Sequence, residues 1–236
     1  MRQSLIASGL AFLVLLIPAL GSADIGPNLT FWPSPVGTRL SQIVVTESFQ
    51  DKTGMMWFST QEGLNVYDGK RVEKYLPNLG VPESLATGSL LGVKQGKSGE
   101  IWVATSTSIQ IFDRERKTFS TPEPFLSRKI SPQSFDIDIE GRLYVGLNDG
   151  ISIYNHETGE FRETRFQKDL FPSGARVVDI LAYEESTLIL ISGRGLYRLD
   201  ASNSNALLEN VFTLPETANA DVTRCLRQRL RFGLRL

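Results

Sequence analysis

The chain has 236 residues, 41% of them hydrophobic, with 25 Lys and Arg against 26 Asp and Glu. That supplies a core for one or two domains and no overall basic character. The one cysteine, Cys225, excludes an internal disulfide and a Cys-based metal site, and the one histidine, His156, leaves no Ser-His-Asp arrangement to propose.

Arg2 precedes an apolar run from Leu5 to Leu20, and Gly21-Ser22-Ala23 places small residues where a signal peptidase cuts. Residues 1–23 are therefore expected to be an export signal. The run is short for a membrane span, and Pro18 and Gly21 interrupt it; an uncleaved anchor is the alternative. After cleavage, residues 24–223 keep 19 bases (25 less Arg2 and Arg224, Arg227, Arg229, Arg231, Arg235) and 26 acids, a net charge of −7. A nucleic-acid partner needs a basic footprint and is not expected.

The first dense pattern is "GMMWFSTQEGLNVYDG", residues 54–69. Counted from Gly54 it holds Trp57, Thr60, Gly63, Leu64, Tyr67 and Asp68, followed by Gly69. The same offsets from Gly99 give Trp102, Thr105, Ser108, Ile109, Phe112 and Asp113. From Gly141 they give Tyr144, Leu147, Gly150, Ile151, Tyr154 and Asn155. A fainter copy from Ser186 gives Ile189, Ser192, Gly195, Leu196, Leu199 and Asp200. The marks fall 45, 42 and 45 residues apart, and a period of roughly 40–50 residues signals propellers, solenoids or arrays.

Each copy holds short β-branched or aromatic runs, such as "EIWVAT", "RLYVGL" and "TLILIS", separated by the turns "QEG", "NDG" and "GRG". A preceding run ("IVVTESF", "LLGVK", "FDIDI", "VVDILAY") and a following aromatic (Tyr75, Phe119, Phe161) complete the unit. Four short strands per unit, with no sustained helical stripe, predict an all-β chain of β-propeller blades at about 40–76, 88–120, 133–163 and 176–213. Trp57, Trp102 and Tyr144 are expected between blades, and Gly63, Gly150 and Gly195 at turns requiring positive φ. Asp68-Gly69 reads as the turn closing a last hairpin.

The stretch "FQDKTGMMWFSTQEGLNVYDGKRVEKY" resembles the two-component regulator propeller repeat, with its Asp-x-x-Gly-x-x-Trp-x-x-Thr core, Gly-Leu and Tyr-Asp-Gly. Blade one carries Asp51, Gly54, Trp57, Thr60, Gly63, Leu64, Tyr67, Asp68 and Gly69; blade two keeps Gly99, Trp102, Thr105 and Asp113, with Lys97 near the aspartate position. Blades three and four keep the spacing and lose the tryptophan. The resemblance, over residues 28–223, implies an exported periplasmic sensor that binds a small-molecule or glycan ligand. Its rings are usually seven-bladed, so four blades would form an incomplete ring. The rest of such a protein supplies a β-sandwich, a membrane helix and a kinase or diguanylate cyclase output, and the full-length parent is expected to dimerise. In many relatives an N-terminal segment closes the ring, a role open here to "NLTFW", residues 28–32, or an ordinary leader.

After blade four, "DVTRCL" begins like a fifth blade, and residues 224–236 become an arginine run that fits none. Shifted by two bases, codons for Leu230 to Leu236 can spell Ala-Leu-Trp-Val-Ala-Thr, close to "IWVAT", so this tail is expected to be a blade read out of frame. A genuine basic tail for an acidic surface is the alternative.

No catalytic, cofactor or metal residue is expected. "GKS" (96–98) lacks the upstream glycine of a phosphate loop, "DIDIEG" (136–141) puts Leu147 where a calcium loop needs Glu, and "GRG" (193–195) lacks a dinucleotide setting. His156 is expected in a solvated turn. A lyase-like propeller enzyme and a plain interaction scaffold are the competing readings.

Overall fold

A computed structural model describes residues 36–166, 176–183, 186–200 and 207–213. The proposed signal, the "NLTFW" segment and the basic tail lie outside the described residues. The described chain forms four antiparallel four-stranded sheets, each a meander in chain order. Blade 1 holds β1 (Val45–Gln50), β2 (Met56–Thr60), β3 (Leu64–Tyr67) and β4 (Val72–Tyr75). Blade 2 holds β5 (Leu90–Gln95), β6 (Ile101–Thr105), β7 (Ile109–Asp113) and β8 (Thr118–Ser120), then a four-residue helix, α1 (Glu123–Leu126). Blade 3 holds β9 (Ser134–Ile137), β10 (Arg142–Gly146), β11 (Gly150–Asn155) and β12 (Phe161–Arg165). Blade 4 holds β13 (Val177–Tyr183), β14 (Ser186–Ile191), β15 (Gly195–Asp200) and β16 (Leu207–Thr213).

The first strands pack in order, β1 on β5, β5 on β9 and β9 on β13; β13 and β1 make no comparable contact among the described residues. They are the inner strands of a β-propeller, as the repeat predicts. A bulge recurs at one repeat position on three of them, between Val45 and Glu47, Leu90 and Gly92, and Val177 and Asp179. An extra residue there bends the strand and increases its local twist.

Blades adhere through three apolar seams. Trp57, Leu64 and Val66 meet Val93, Ile101, Val103 and Phe112 between blades 1 and 2. Trp102, Ala104 and Ile109 meet Phe135, Leu143, Val145 and Tyr154 between blades 2 and 3. Tyr144, Ile151 and Ile153 meet Val177, Ile180, Ile189 and Leu199 between blades 3 and 4. The large ring of one blade lies against the aromatic of the next: Trp57 is edge-on to Phe112 at 5.5 Å, and Trp102 to Tyr154 at 6.1 Å. Burying about 150–250 Å² per ring at about 25 cal/mol/Å² makes each worth roughly 4–6 kcal/mol of transfer free energy.

Candidate functional site

The residues that look most like a site in the sequence form locks within the blades. Asp51 follows β1, and its Oδ1 accepts from the Thr53 hydroxyl (2.6 Å), the Thr53 N–H (2.8 Å) and the Met55 N–H (3.1 Å). Its Oδ2 accepts from Trp57 Nε1 at 2.6 Å and from Arg114 Nη2 of blade 2 at 2.7 Å. Gly54, at φ +88°, completes the turn, and Arg114 lies over the Trp57 ring at 5.2 Å. Burial alone would raise the Asp51 carboxyl, but the bonds from Thr53, Trp57 and Arg114 outweigh it and hold the group well below the usual carboxylate range. An ionised, fully satisfied carboxylate thus orients the indole and ties blade 2 to blade 1.

Blade 3 builds the lock from other residues. Asp138 Oδ2 accepts from Tyr144 Oη at 3.0 Å and Arg142 Nε at 2.6 Å, and Gly141 takes the Gly54 role at φ +82°. Burial pushes the Tyr144 phenol up to about 12, so it is a donor at any physiological pH.

Blade 2 departs from the pattern. The aspartate position is occupied by Gly96, next to Lys97, and Gly96 has no positive φ. The Glu100 carboxylate fills the space a side chain at 96 would take, and its Oε1 accepts from Trp102 Nε1 at 3.1 Å. The carboxylate of the lock has moved four residues along the chain while the indole kept its partner.

The remaining signature residues are turn chemistry. Thr60 Oγ1 donates to the Gly63 carbonyl (2.8 Å) and accepts from the Gly63 N–H (3.1 Å); Thr105 makes the same pair with Ser108 at 3.1 and 3.0 Å. Asp68 Oδ1 accepts from the Lys70 and Arg71 N–H groups, Asp113 from Glu115 and Arg116, and Asn155 from Glu157 and Thr158. Backbone bonds from Arg71 and Lys70 lower the Asp68 pKa. Gly69 sits at φ +94° in this turn, and Tyr67 Oη donates to its carbonyl at 2.7 Å. Asp200 ends β15 at the same repeat position.

The expected positive φ of Gly150 is not found, although Gly195 has it at +126°. Gly150 is required for a different reason: a Cβ there would run into the Thr164 carbonyl of β12, as one on Gly63 would meet the Tyr75 carbonyl at 2.6 Å. Gly63 has the expected positive φ, at +157°, and the turn glycines Gly54, Gly99 and Gly141 have it as well.

The other motif candidates are accounted for locally. "GKS" and "GRG" are hairpin turns, closed by the Gly99 N–H on the Gly96 carbonyl (3.2 Å) and the Arg194 N–H on the Ile191 carbonyl (3.1 Å). In "DIDIEG" the two aspartates serve different structures, Asp138 the lock and Asp136 the axis. His156 is exposed, as expected of a solvated turn, but its ring is edge-on to Trp102 at 5.4 Å. Among the described residues no group of three His, Cys, Asp or Glu could hold a metal.

Cavities and the axial charges lie elsewhere, on residues the repeat mostly does not mark, Leu147 excepted. Along the axis, Lys94 Nζ stands 3.0 Å from Glu47 Oε1 and 3.6 Å from Asp136 Oδ1, linking the inner strands of three blades. Glu47 Oε2 accepts the Val93 N–H at 3.2 Å, and Asp136 Oδ2 accepts the Ala182 N–H at 3.0 Å. Gly92 makes room for the Glu47 carboxylate. Burial pushes the Asp136 carboxyl up against the opposing pull of Lys94 and the Ala182 N–H. Beside this seam a cavity of about 220 Å³ opens among Thr46, Glu47, Leu91, Gln133 and Phe135. A larger groove of about 500 Å³ lies on blade 3, where the β10–β11 hairpin meets the connector after α1. Both open at the end of the blades where the connectors run, opposite the Asp51 and Asp138 locks. The arrangement sets fixed charges and hydrogen-bonding groups beside two cavities.

Four antiparallel meanders with successive inner strands define the molecule as a β-propeller. No family model matches the chain, and no curated protein does. Solved structures do. An extracellular domain assigned to a hybrid two-component system of B. thetaiotaomicron is 23% identical, with a TM-score of 0.59 over 76% of this chain and 26% of that one. A second such domain from the same organism is 18% identical, with a TM-score of 0.60 over 72% and 24%. Virginiamycin B lyase of Staphylococcus aureus is 15% identical, with a TM-score of 0.53 over 78% and 58%. The chain spans about a quarter of the length of the first two. The likeness is one of fold, shared with extracellular domains of two-component systems and with a lyase alike.

Proposed function

We propose that this chain is the exported input segment of a two-component or diguanylate cyclase signalling protein, and that it recognises a small molecule or glycan at the connector end of its blades. The observation that carries this is the division of the propeller into two ends. The carboxylate locks and the Asp68-type turns lie at one end of the blades, while both cavities open at the other, beside the connectors. Scaffolds place recognition where loops, not repeats, set the chemistry. The resemblance of the Asp51–Trp57 repeat and the fold shared with extracellular domains of hybrid two-component systems support the sensory reading.

The segment would be part of a larger ring. Blade 4 is apolar on both faces, with Ile189 and Ile191 toward blade 3 and Leu188 and Leu190 on the opposite side. Output, membrane attachment and dimerisation would reside in further sequence of the parent; no helix among the described residues is long and apolar enough to cross a membrane. Sequencing the locus downstream of codon 225 tests this. More propeller repeats followed by a membrane span and a kinase or cyclase are expected, and an intact frame without them would end the proposal.

The fold of the S. aureus lyase favours one second reading, a propeller enzyme. A histidine substitution makes that lyase catalytically inactive. Here the sole histidine, His156, sits in the β11–β12 turn at the end away from the cavities. Turnover of a lactone or polysaccharide by the purified chain would put the lyase reading first.

A further inference from the structure

The groove on blade 3 has an apolar floor, Ile130 and Leu147, both buried, and walls of opposite character. On one side stand Arg128 and Lys129, from the connector between α1 and β9. On the other, Arg165 of β12 lies 3.8 Å from Asp149 and 3.8 Å from Glu163. Those two separations exceed hydrogen-bond length at exposed side chains, so each pair contributes no more than about 1 kcal/mol, yet together they neutralise one cation and spread one further negative charge.

Arg128 differs from an ordinary surface arginine. Its guanidinium lies over the Phe161 ring at 4.4 Å, and its Nη1 donates to the Pro124 carbonyl at 3.0 Å. Both contacts fix the plane of the fork without neutralising it, and no acid partners Arg128 or Lys129 among the described residues. A planar donor fork already immobilised loses little entropy on engaging an oxyanion, and bidentate Arg–oxyanion bonds are among the stronger polar contacts. Opposite it, Glu163 and Asp149 can accept from hydroxyl groups on the same ligand.

We propose that this groove is a binding site for a small oxyanion-bearing molecule, a carboxylate or sulfate held by Arg128 and Lys129 with its polar remainder toward Glu163 and Asp149. The site goes beyond the sensory reading and holds whether or not the chain signals.

The test is calorimetric or NMR titration of the full chain with D-glucuronate and with inorganic sulfate, using D-glucose as the uncharged control. Saturable binding is expected for at least one oxyanion and not for glucose at this groove. Binding by glucuronate alone would assign the groove to carboxylates, and by both to oxyanions in general. Each of Arg128→Ala and Lys129→Ala should weaken it roughly tenfold, the worth of one charge-assisted contact. Arg128→Lys, which keeps the charge and loses the fork, should weaken it less than Arg128→Ala; Lys117→Ala, on the outer rim of blade 2, should leave it unchanged. Retention of the β-sheet circular dichroism by each variant separates lost binding from lost folding. Sulfate also stabilises proteins by exclusion, so saturation and variant dependence are the readouts, not a rise in melting temperature. No saturation by either oxyanion up to roughly 10 mM, weaker than the millimolar affinity of about −4 kcal/mol, would overturn the proposal. Binding that survives in the Arg128→Ala/Lys129→Ala double variant would overturn it equally.

Discussion

Trp57 donates its indole N–H to Asp51 at 2.6 Å, and the same carboxylate holds Arg114 of the next blade at 2.7 Å. One ionised group therefore organises a turn, a core side chain and a blade junction. Asp51→Asn keeps the shape, removes the charge and leaves one acceptor oxygen for two sets of donors, so the amide NH2 must face either Thr53 and Met55 or Trp57 and Arg114. A loss of about 2–4 kcal/mol is expected in denaturant unfolding, and Arg114→Ala should cost less because that side chain is partly solvated. Equal losses would show that the carboxylate matters only through the arginine.

Two buried aspartates should respond oppositely to pH. The Asp51 pKa is depressed in the fold, so its contribution is present above the unfolded carboxyl value, about 4, and is lost as pH falls below it. The Asp136 pKa is raised, so the folded state takes up that proton first, and acidification through its folded pKa relieves a penalty. Asp136→Asn, which can still accept from Ala182, should therefore cost no stability at pH 7, while Asp51→Asn should flatten the acid limb of the stability curve. Melting curves across pH 3–7 (about the carboxyl range and above) decide it, and a large loss for Asp136→Asn at neutral pH would refute the assignment.

Lys94 separates two carboxylates at the axis. Lys94→Met should destabilise the chain by about 2–4 kcal/mol at neutral pH, since Glu47 and Asp136 are left facing each other. The deficit should shrink on acidification as Asp136, whose pKa is raised, takes up its proton. A pH-independent deficit would assign the effect to packing of the lysine stem.

Gly96 and Glu100 form a compensated pair. Gly96→Asp alone places two carboxylates in the space of one and should destabilise blade 2. Gly96→Asp with Glu100→Met recreates the blade 1 arrangement of Asp51 and Met55 and should recover most of the loss. A double-variant cycle with no coupling would show that Glu100 does not occupy that place.

Two glycines test why the repeat needs them. At Gly54 a Cβ meets nothing within 4 Å, so Gly54→Ala should cost only the positive-φ penalty, about 1–2 kcal/mol. At Gly150 the obstacle is the Thr164 backbone, so Gly150→Ala must displace β12 and should cost more. Thermal midpoints rank the two.

The blade plan was legible because its causes are local and periodic: Trp57, Trp102 and Tyr144 recur where a seam needs a large ring, and short β-branched or aromatic runs bounded by turn residues mark the strands around them. The lock of blade 2 was not, because Glu100 reaches a place that sequence alignment gives to residue 96. Gly150 shows a related limit, since close approach of a carbonyl and positive φ both select glycine and only coordinates tell them apart. The connector end was least legible. Arg128, Lys129 and Phe161 come together from a loop and an outer strand that share no offset, and Glu47, Lys94 and Asp136 stand on three blades at two different repeat positions.

The hand-over of a carboxylate from one inner strand to the next has a consequence for how this propeller can be approached. An inner strand is a sheet edge, and an unprotected edge invites an extended peptide to add itself. On β5 and β13 the Val93 and Ala182 amides are already occupied by Glu47 and Asp136. The hub is closed to strand invasion at those two amides, and a guest arriving there must be read by side chains.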